Sequence, residues 1–215
     1  MLELKTYSYT ELAEYMNCRN KQALNRKLRS YDIEYTADGN RAPNIKYTIT
    51  AINEPFKTYC VFDLGFDPRV EIDKLRHFLY HYFCDDVFMS MPDEVKEGWM
   101  ERYEKPISRQ TIANYEQRLN ALEYIHRSNT EYLYYFAYHG QQRMVSKAEY
   151  SEAWRSYWEM RKAGSYSGVA ITQMILDYGG VARKQAIQEK NALHTEEINF
   201  LVNLTVASIE ADVKK

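Results

Sequence analysis

Residues 108–125, SRQTIANYEQRLNALEYI, followed by the aromatic run Tyr132-Leu133-Tyr134-Tyr135-Phe136, decide how this chain folds. Ser108 is a helix-capping residue type, and Ile112, Tyr115, Leu119 and Leu122 recur at spacings of three and four, so the stretch predicts a helix with one apolar face. The opposite face carries Arg109, Gln110, Asn114 and Gln117, with Arg118 as a further cation on the same helix. Such side chains can meet phosphates and base edges. Beyond the helix, Tyr124-Ile125, a polar turn over His126–Glu131 and the aromatic run predict a hairpin.

Working outward, the N-terminus repeats this design. Thr10 precedes Glu11-Leu12-Ala13-Glu14-Tyr15-Met16, a short predicted helix with an acidic first turn. Asn17–Asn20 makes a turn, and Lys21–Ser30 predicts a helix with Leu24 and Leu28 on one face. Tyr31–Thr36 and Ile45–Thr50 read as two strands joined by ADGNRAPN. The order is helix, turn, helix, hairpin. The starts of the two longer helices also correspond: Asn20-Lys21-Gln22-Ala23-Leu24 parallels Ser108-Arg109-Gln110-Thr111-Ile112.

The two stretches resemble winged helix-turn-helix modules, the first over residues 6–52 and the second over 70–140, with the C-terminal third outside the resemblance. As a whole the chain resembles the two-winged-helix proteins carried by bacteriophages and other bacterial mobile elements. Plasmid replication initiators place two winged helices in tandem, and small phage anti-CRISPR proteins often pair a helix-turn-helix with a domain that binds a Cas effector. The resemblance implies a mainly α fold with small β-hairpin wings (α+β). Its parts would be residues 1–53, residues 54–145 and a helical packing or oligomerisation region over 146–215. It also implies double-stranded DNA as partner, and a transcriptional regulator or replication-associated factor as function. The alternative is a protein-binding inhibitor of a host defence complex, anti-CRISPR-like, suggested by the acidic balance, the tyrosine surplus and the aromatic C-terminal third.

Charge bears on that choice. The chain of 215 residues has a net charge of −2, whereas nucleic-acid binding usually leaves a domain basic, so a DNA contact requires a local cationic patch. Arg19, Lys21, Arg26, Lys27 and Arg29 supply one, with no acid among them. Lys21, Gln22, Asn25 and Arg26 are expected on the helix face away from Leu24 and Leu28. Arg41, Asn44 and Lys46 would add contacts from the hairpin. In the second stretch Glu116, Glu123 and Glu131 dilute the positive charge. A solvated helix face is the bland alternative for both. The 20 tyrosines suit cores, protein contacts and base stacking alike, so they do not separate these partners.

Between and beyond the modules, Thr58–Phe66 reads as a buried strand or extended segment, Ile72–Phe83 as a helix, and Asp85–Pro106 as a short helix flanked by loops. Ser146–Lys162 predicts a helix with Tyr150, Trp154, Tyr157, Trp158 and Arg161 on one side; at that spacing the aromatics suit a core or interface more than base stacking. Val169–Tyr178 predicts another helix, stopped by Gly179-Gly180, and Glu189–Val213 a long final one. Ile198, Leu201, Val202, Thr205 and Ile209 place the final helix in a core or in an oligomer contact such as a homodimer.

Other constellations carry less chemistry. His77, His81 and Cys84 share a helix face and could hold zinc, but they lack the HExxH pattern and sit among aromatics. Asp85-Asp86, Asp93-Glu94 and Glu101 have no interpretable pairing, and Gly179–Gln185 lacks the phosphate-loop form. No catalytic motif, cofactor site or metal site is expected. With 45% apolar residues, mean hydropathy of −0.61, no membrane-length apolar run, no secretory signal and three scattered cysteines, the expectation is a soluble cytoplasmic protein without a disulfide framework.

Overall fold

The computed structural model describes residues 1–213, apart from the side chain of Asp86. Lys214 and Lys215, which belong to the expected C-terminal region, and the Asp86 carboxylate lie outside the described residues. The chain is mainly helical with two three-stranded antiparallel sheets, an α+β fold. It forms two compact units, one of residues 1–80 with the segment from Asn199, the other His81–Ile198. These units do not follow the expected three-part division at residues 53 and 145. No helix among the described residues is long and apolar enough to cross a membrane.

The first unit opens with strand β1 (Thr6–Ser8), helix α1 (Tyr9–Tyr15), helix α2 (Lys21–Ser30) and the strands β2 (Ile33–Asp38) and β3 (Lys46–Ile52). The cap of α1 is Ser8. The Ser8 hydroxyl accepts from the Glu11 amide at 3.3 Å, while the Glu11 carboxylate accepts from the Ser8 amide at 2.8 Å, a closed capping box. Ser8 also ends β1, which pairs with β3 through Thr6↔Thr48 and Ser8↔Lys46, so the sheet order is β1–β3–β2. This short strand has no sequence pattern of its own. Asn17, at φ 49°, turns the chain between the helices, in a left-handed conformation that Asn tolerates. Asn20 caps α2 by accepting from the Ala23 amide at 2.8 Å.

These elements enclose one core. Leu12 from α1, Met16 just after it, Leu24 and Leu28 from α2, and Ile33, Ile45, Tyr47 and Ile49 from the hairpin are buried together. At roughly 1.5–3 kcal/mol per fully buried large apolar side chain, this cluster holds α2 in place far more firmly than its own polar sequence could. Val61 joins from α3 (Pro55–Phe62), which corrects the expected strand or extended segment over Thr58–Phe66. Pro55 sits in the first turn of α3, where its missing amide costs nothing, and Phe56, Tyr59 and Cys60 bury at helical spacing. TYCVFDLGF is apolar at too many positions for its periodicity to separate helix from strand.

Helix α4 (Ile72–Cys84) leads to α5 (Asp86–Ser90) and α6 (Asp93–Arg102), two helices where one was expected, and then to α7 (Arg109–Ala121). Ser108 caps α7 as the sequence predicts, and Ile112, Tyr115 and Leu119 are buried. Strand β4 (Ile125–Tyr138) then runs straight through the expected polar turn His126–Glu131. Those residues form an irregularity in its pairing, with the register shifting between Arg127 and Tyr132. The hairpin turn lies instead at His139-Gly140, both at positive φ, before β5 (Gln141–Val145).

Helices α8 (Lys147–Lys162) and α9 (Ser167–Tyr178) pack on Phe136 through Ala153, Tyr157, Ala170 and Met174. Ser146 and Glu149 close a second capping box at the start of α8. The next element corrects the expectation of a helical C-terminal third: β6 (Val181–Lys190) pairs antiparallel with β4, giving the order β5–β4–β6. Gly180 permits it, because a Cβ there would lie 3.0 Å from the Ala137 backbone. The last helix, α10 (Thr195–Val213), accordingly begins six residues later than expected, after a 3₁₀ turn at Ala192–His194. Ile198, Leu201 and Thr205 on it are buried.

Candidate nucleic-acid interface

Helix α2 separates two faces cleanly. Leu24 and Leu28 are fully buried. Gln22, Arg26 and Arg29, at i, i+4 and i+7, lie on the opposite stripe and are exposed, and Lys21 is exposed in the first turn. Arg19 is exposed in the turn before the helix, and Arg41 and Lys46 are exposed in the β2–β3 hairpin. Among the described residues none of these cations is paired with a carboxylate. Lys27, the remaining cation of the run, is half-buried; its Nζ donates to the Met16 carbonyl at 2.6 Å and lies 5.1 Å from the centre of the Phe62 ring. It serves the packing of α1 and α2. Asn25 is half-buried, and its Oδ1 accepts from the Tyr47 hydroxyl at 3.0 Å. That bond ties the helix to β3, one residue from Lys46, and leaves the amide nitrogen to donate.

The second predicted face is differently occupied. Arg109 reaches two carboxylates of α6, donating from Nη1 to Glu94 and from Nε to Glu97, each at 3.0 Å. The guanidinium fastens the start of α7 to α6. Gln110 donates to the Asn114 side chain at 3.0 Å along the same helix, and both are exposed. Arg118 is half-buried and engaged. Glu94 also accepts from Gln142 of β5 at 3.0 Å. The cations of the first candidate set other than Lys27 are therefore free of carboxylates among the described residues, whereas in the second Arg109 is held to α6 by two acids that helical periodicity could not reveal.

Sequence reading missed a buried polar cluster in the second unit. Lys96, with no exposed surface, pairs with Glu116 of α7. The other Glu116 oxygen accepts from Gln188 of β6 at 2.9 Å, and Gln188 in turn accepts from the Tyr82 hydroxyl. Burial, with the Glu116 charge beside it, pushes the Tyr82 phenol well above its ordinary range. Asp93, 3.9 Å from Lys96, is also raised, by burial first and then by Glu116. No short motif links these positions, so the sequence held no signal for them.

The remaining constellations resolve as packing. No group of histidines, cysteines and acids able to hold a metal occurs among the described residues. His81 is buried against the Phe88, Trp99 and Tyr103 rings, and His77 stands 3.8 Å from Asp73. Tyr157 is buried, Trp154 half-buried, and Trp158 exposed with its ring against Tyr157. Gly179–Gln185 is a helix end followed by the first residues of β6.

No protein-family model matches this chain, and no curated protein or solved structure matches it.

Proposed function

We propose that this protein binds double-stranded DNA in a sequence-dependent way, as a regulator or replication-associated factor of phage or mobile-element type. Its first unit would act as a winged helix-turn-helix. What carries the proposal is the exposed stripe of α2, where Lys21, Gln22, Arg26 and Arg29 have no carboxylate partner among the described residues while the opposite face is sealed by Leu24 and Leu28. In this arrangement α2 enters the major groove. Gln22 pairs bidentately with adenine and Arg26 with guanine, while Asn25 offers its amide nitrogen as donor, its oxygen accepting from Tyr47. Arg19, Lys21 and Arg29 meet phosphates, and the hairpin brings Arg41 and Lys46 to the flanking backbone as a wing. The engagement of Arg109 by Glu94 and Glu97 favours placing base readout in the first unit.

A salt-titrated mobility-shift assay on random and selected duplexes tests this. Binding is expected to weaken steeply with salt, and Lys21→Ala with Arg26→Ala to lower affinity by at least about tenfold at fixed salt, one base contact alone being worth roughly 1–3 kcal/mol. Absence of binding to every duplex at low salt would overturn the proposal.

A second function, inhibition of a host defence complex through protein contact, is favoured by one observation. Trp158 on α8, Tyr166 between the helices, and Val169 and Leu176 on α9 are large, apolar and exposed. An inhibitor docking through that hairpin would keep its effect when Lys21 and Arg26 are replaced.

A further inference from the structure

The second unit contains a cleft of about 330 Å³ whose lining the DNA reading does not use. Its buried end is formed by Glu116 and Gln188, both nearly inaccessible, with Asp93 beside them. Ala113 of α7 and Ile125 of β4 supply apolar walls, and Arg127, exposed, also lines the cleft, its charge acting on Asp93. The volume is near the lower end of small-molecule sites, which span roughly 300–1,000 Å³.

The chemistry of the buried end is already partly committed. Lys96 neutralises Glu116, and Gln188 spends its amide nitrogen on Glu116 and its oxygen on Tyr82. These bonds hold the cluster in one arrangement and leave one acceptor unfilled. Asp93 accepts no hydrogen bond from a described residue, and its only cationic neighbour within 4 Å is Lys96, at 3.9 Å. A half-buried carboxylate with both oxygens open accepts best from two parallel N–H groups on a flat edge. Arg127 has no ion pair among the described residues and offers a guanidinium to an anion.

We infer that this cleft binds a small molecule that carries both a flat N–C–N donor edge and an anionic group, the edge pairing with Asp93 and the anion with Arg127. Two sources share that chemistry: a guanine nucleotide, through its N1–H and N2–H₂, and arginine, through its guanidinium. Adenine is a built-in negative control, because the same edge presents an acceptor at N1 toward the carboxylate. The site lies in the second unit and stands or falls independently of DNA contact by α2.

Isothermal titration of the full chain with guanosine monophosphate, adenosine monophosphate and L-arginine tests the inference. At least one of the guanine nucleotide and L-arginine is expected to bind saturably at one site. Asp93→Asn should weaken that binding by at least about tenfold. If the guanine nucleotide binds, adenosine monophosphate should be at least about tenfold weaker, and Arg127→Ala should remove its advantage over guanosine. If L-arginine alone binds, the source is the guanidinium, and agmatine, which lacks the carboxylate, should be weaker and indifferent to Arg127→Ala. Failure of both ligands to bind, equal binding of the adenine and guanine nucleotides, or binding unaffected by Asp93→Asn in a chain with an unchanged circular-dichroism melt would overturn the inference. Should Asp93→Asn not fold, the comparison of ligands on the unaltered chain and on Arg127→Ala still decides it.

Discussion

Lys96 has no contact with solvent, and its ammonium is balanced by Glu116 at close range, with Asp93 3.9 Å and Tyr82's ring 5.2 Å away. Two charges taken out of water cost several kcal/mol each, so such a pair adds little net stability, yet losing one member strands the other. Lys96→Met is therefore expected to destabilise the chain by about 3–5 kcal/mol, because it leaves the Glu116 carboxylate buried without a cation. Replacing both, Lys96→Met with Glu116→Leu, should recover a large part of that loss despite the unpaired amide left on Gln188. Urea unfolding of the two variants beside the unaltered chain measures both effects. A single-variant cost under about 1 kcal/mol would mean that water reaches the pair.

At the scale of elements, what could be read from the sequence depended on whether a segment carries its own periodicity and cap. Helices α2, α7 and α8 announce themselves, since Asn20, Ser108 and Ser146 cap apolar repeats that then bury as the spacing requires. Strand β6 does not, because VARKQAIQEK lacks clean alternation and its pairing is dictated by β4, more than forty residues earlier in the chain. The polar stretch after Ile125 mimics a turn because an irregular strand segment tolerates the same residue types. The exposed cationic stripe of α2 was legible for the same local reason as the helix itself. The Arg109 clamp and the Lys96–Glu116 pair were not, since each joins residues more than ten positions apart on different helices. The start of α1 gives a direct test of how local signals act. Ser8→Ala opens the capping box and should cost about 1 kcal/mol, whereas Thr10→Ala, inside the first turn, should stay within about 0.5 kcal/mol. Thermal melts of the two variants separate the cap from its neighbour.

For the whole molecule, a net charge of −2 means that DNA gains nothing from long-range attraction, since exposed charges are screened beyond roughly 8 Å at physiological salt. Affinity must then come from the few cations that touch phosphate, and their number sets the salt dependence. The two candidate faces differ in this respect. Arg29 and Arg41 are exposed and unpaired among the described residues, while Arg109 already has Glu94 and Glu97. On the proposed binding mode, Arg29→Ala and Arg41→Ala should each lower the slope of log affinity against log salt by about 1, uniformly across duplex sequences. Gln22→Ala should leave the slope alone and relax preference at one base pair. Arg109→Ala should alter neither, its charge being spent on α6. Fluorescence anisotropy of a labelled duplex over a salt series reads all four variants on one scale. If Arg109→Ala reduced the slope as much as Arg29→Ala does, the guanidinium would have to leave its two carboxylates for a phosphate, and α7 would then form part of the DNA-binding surface.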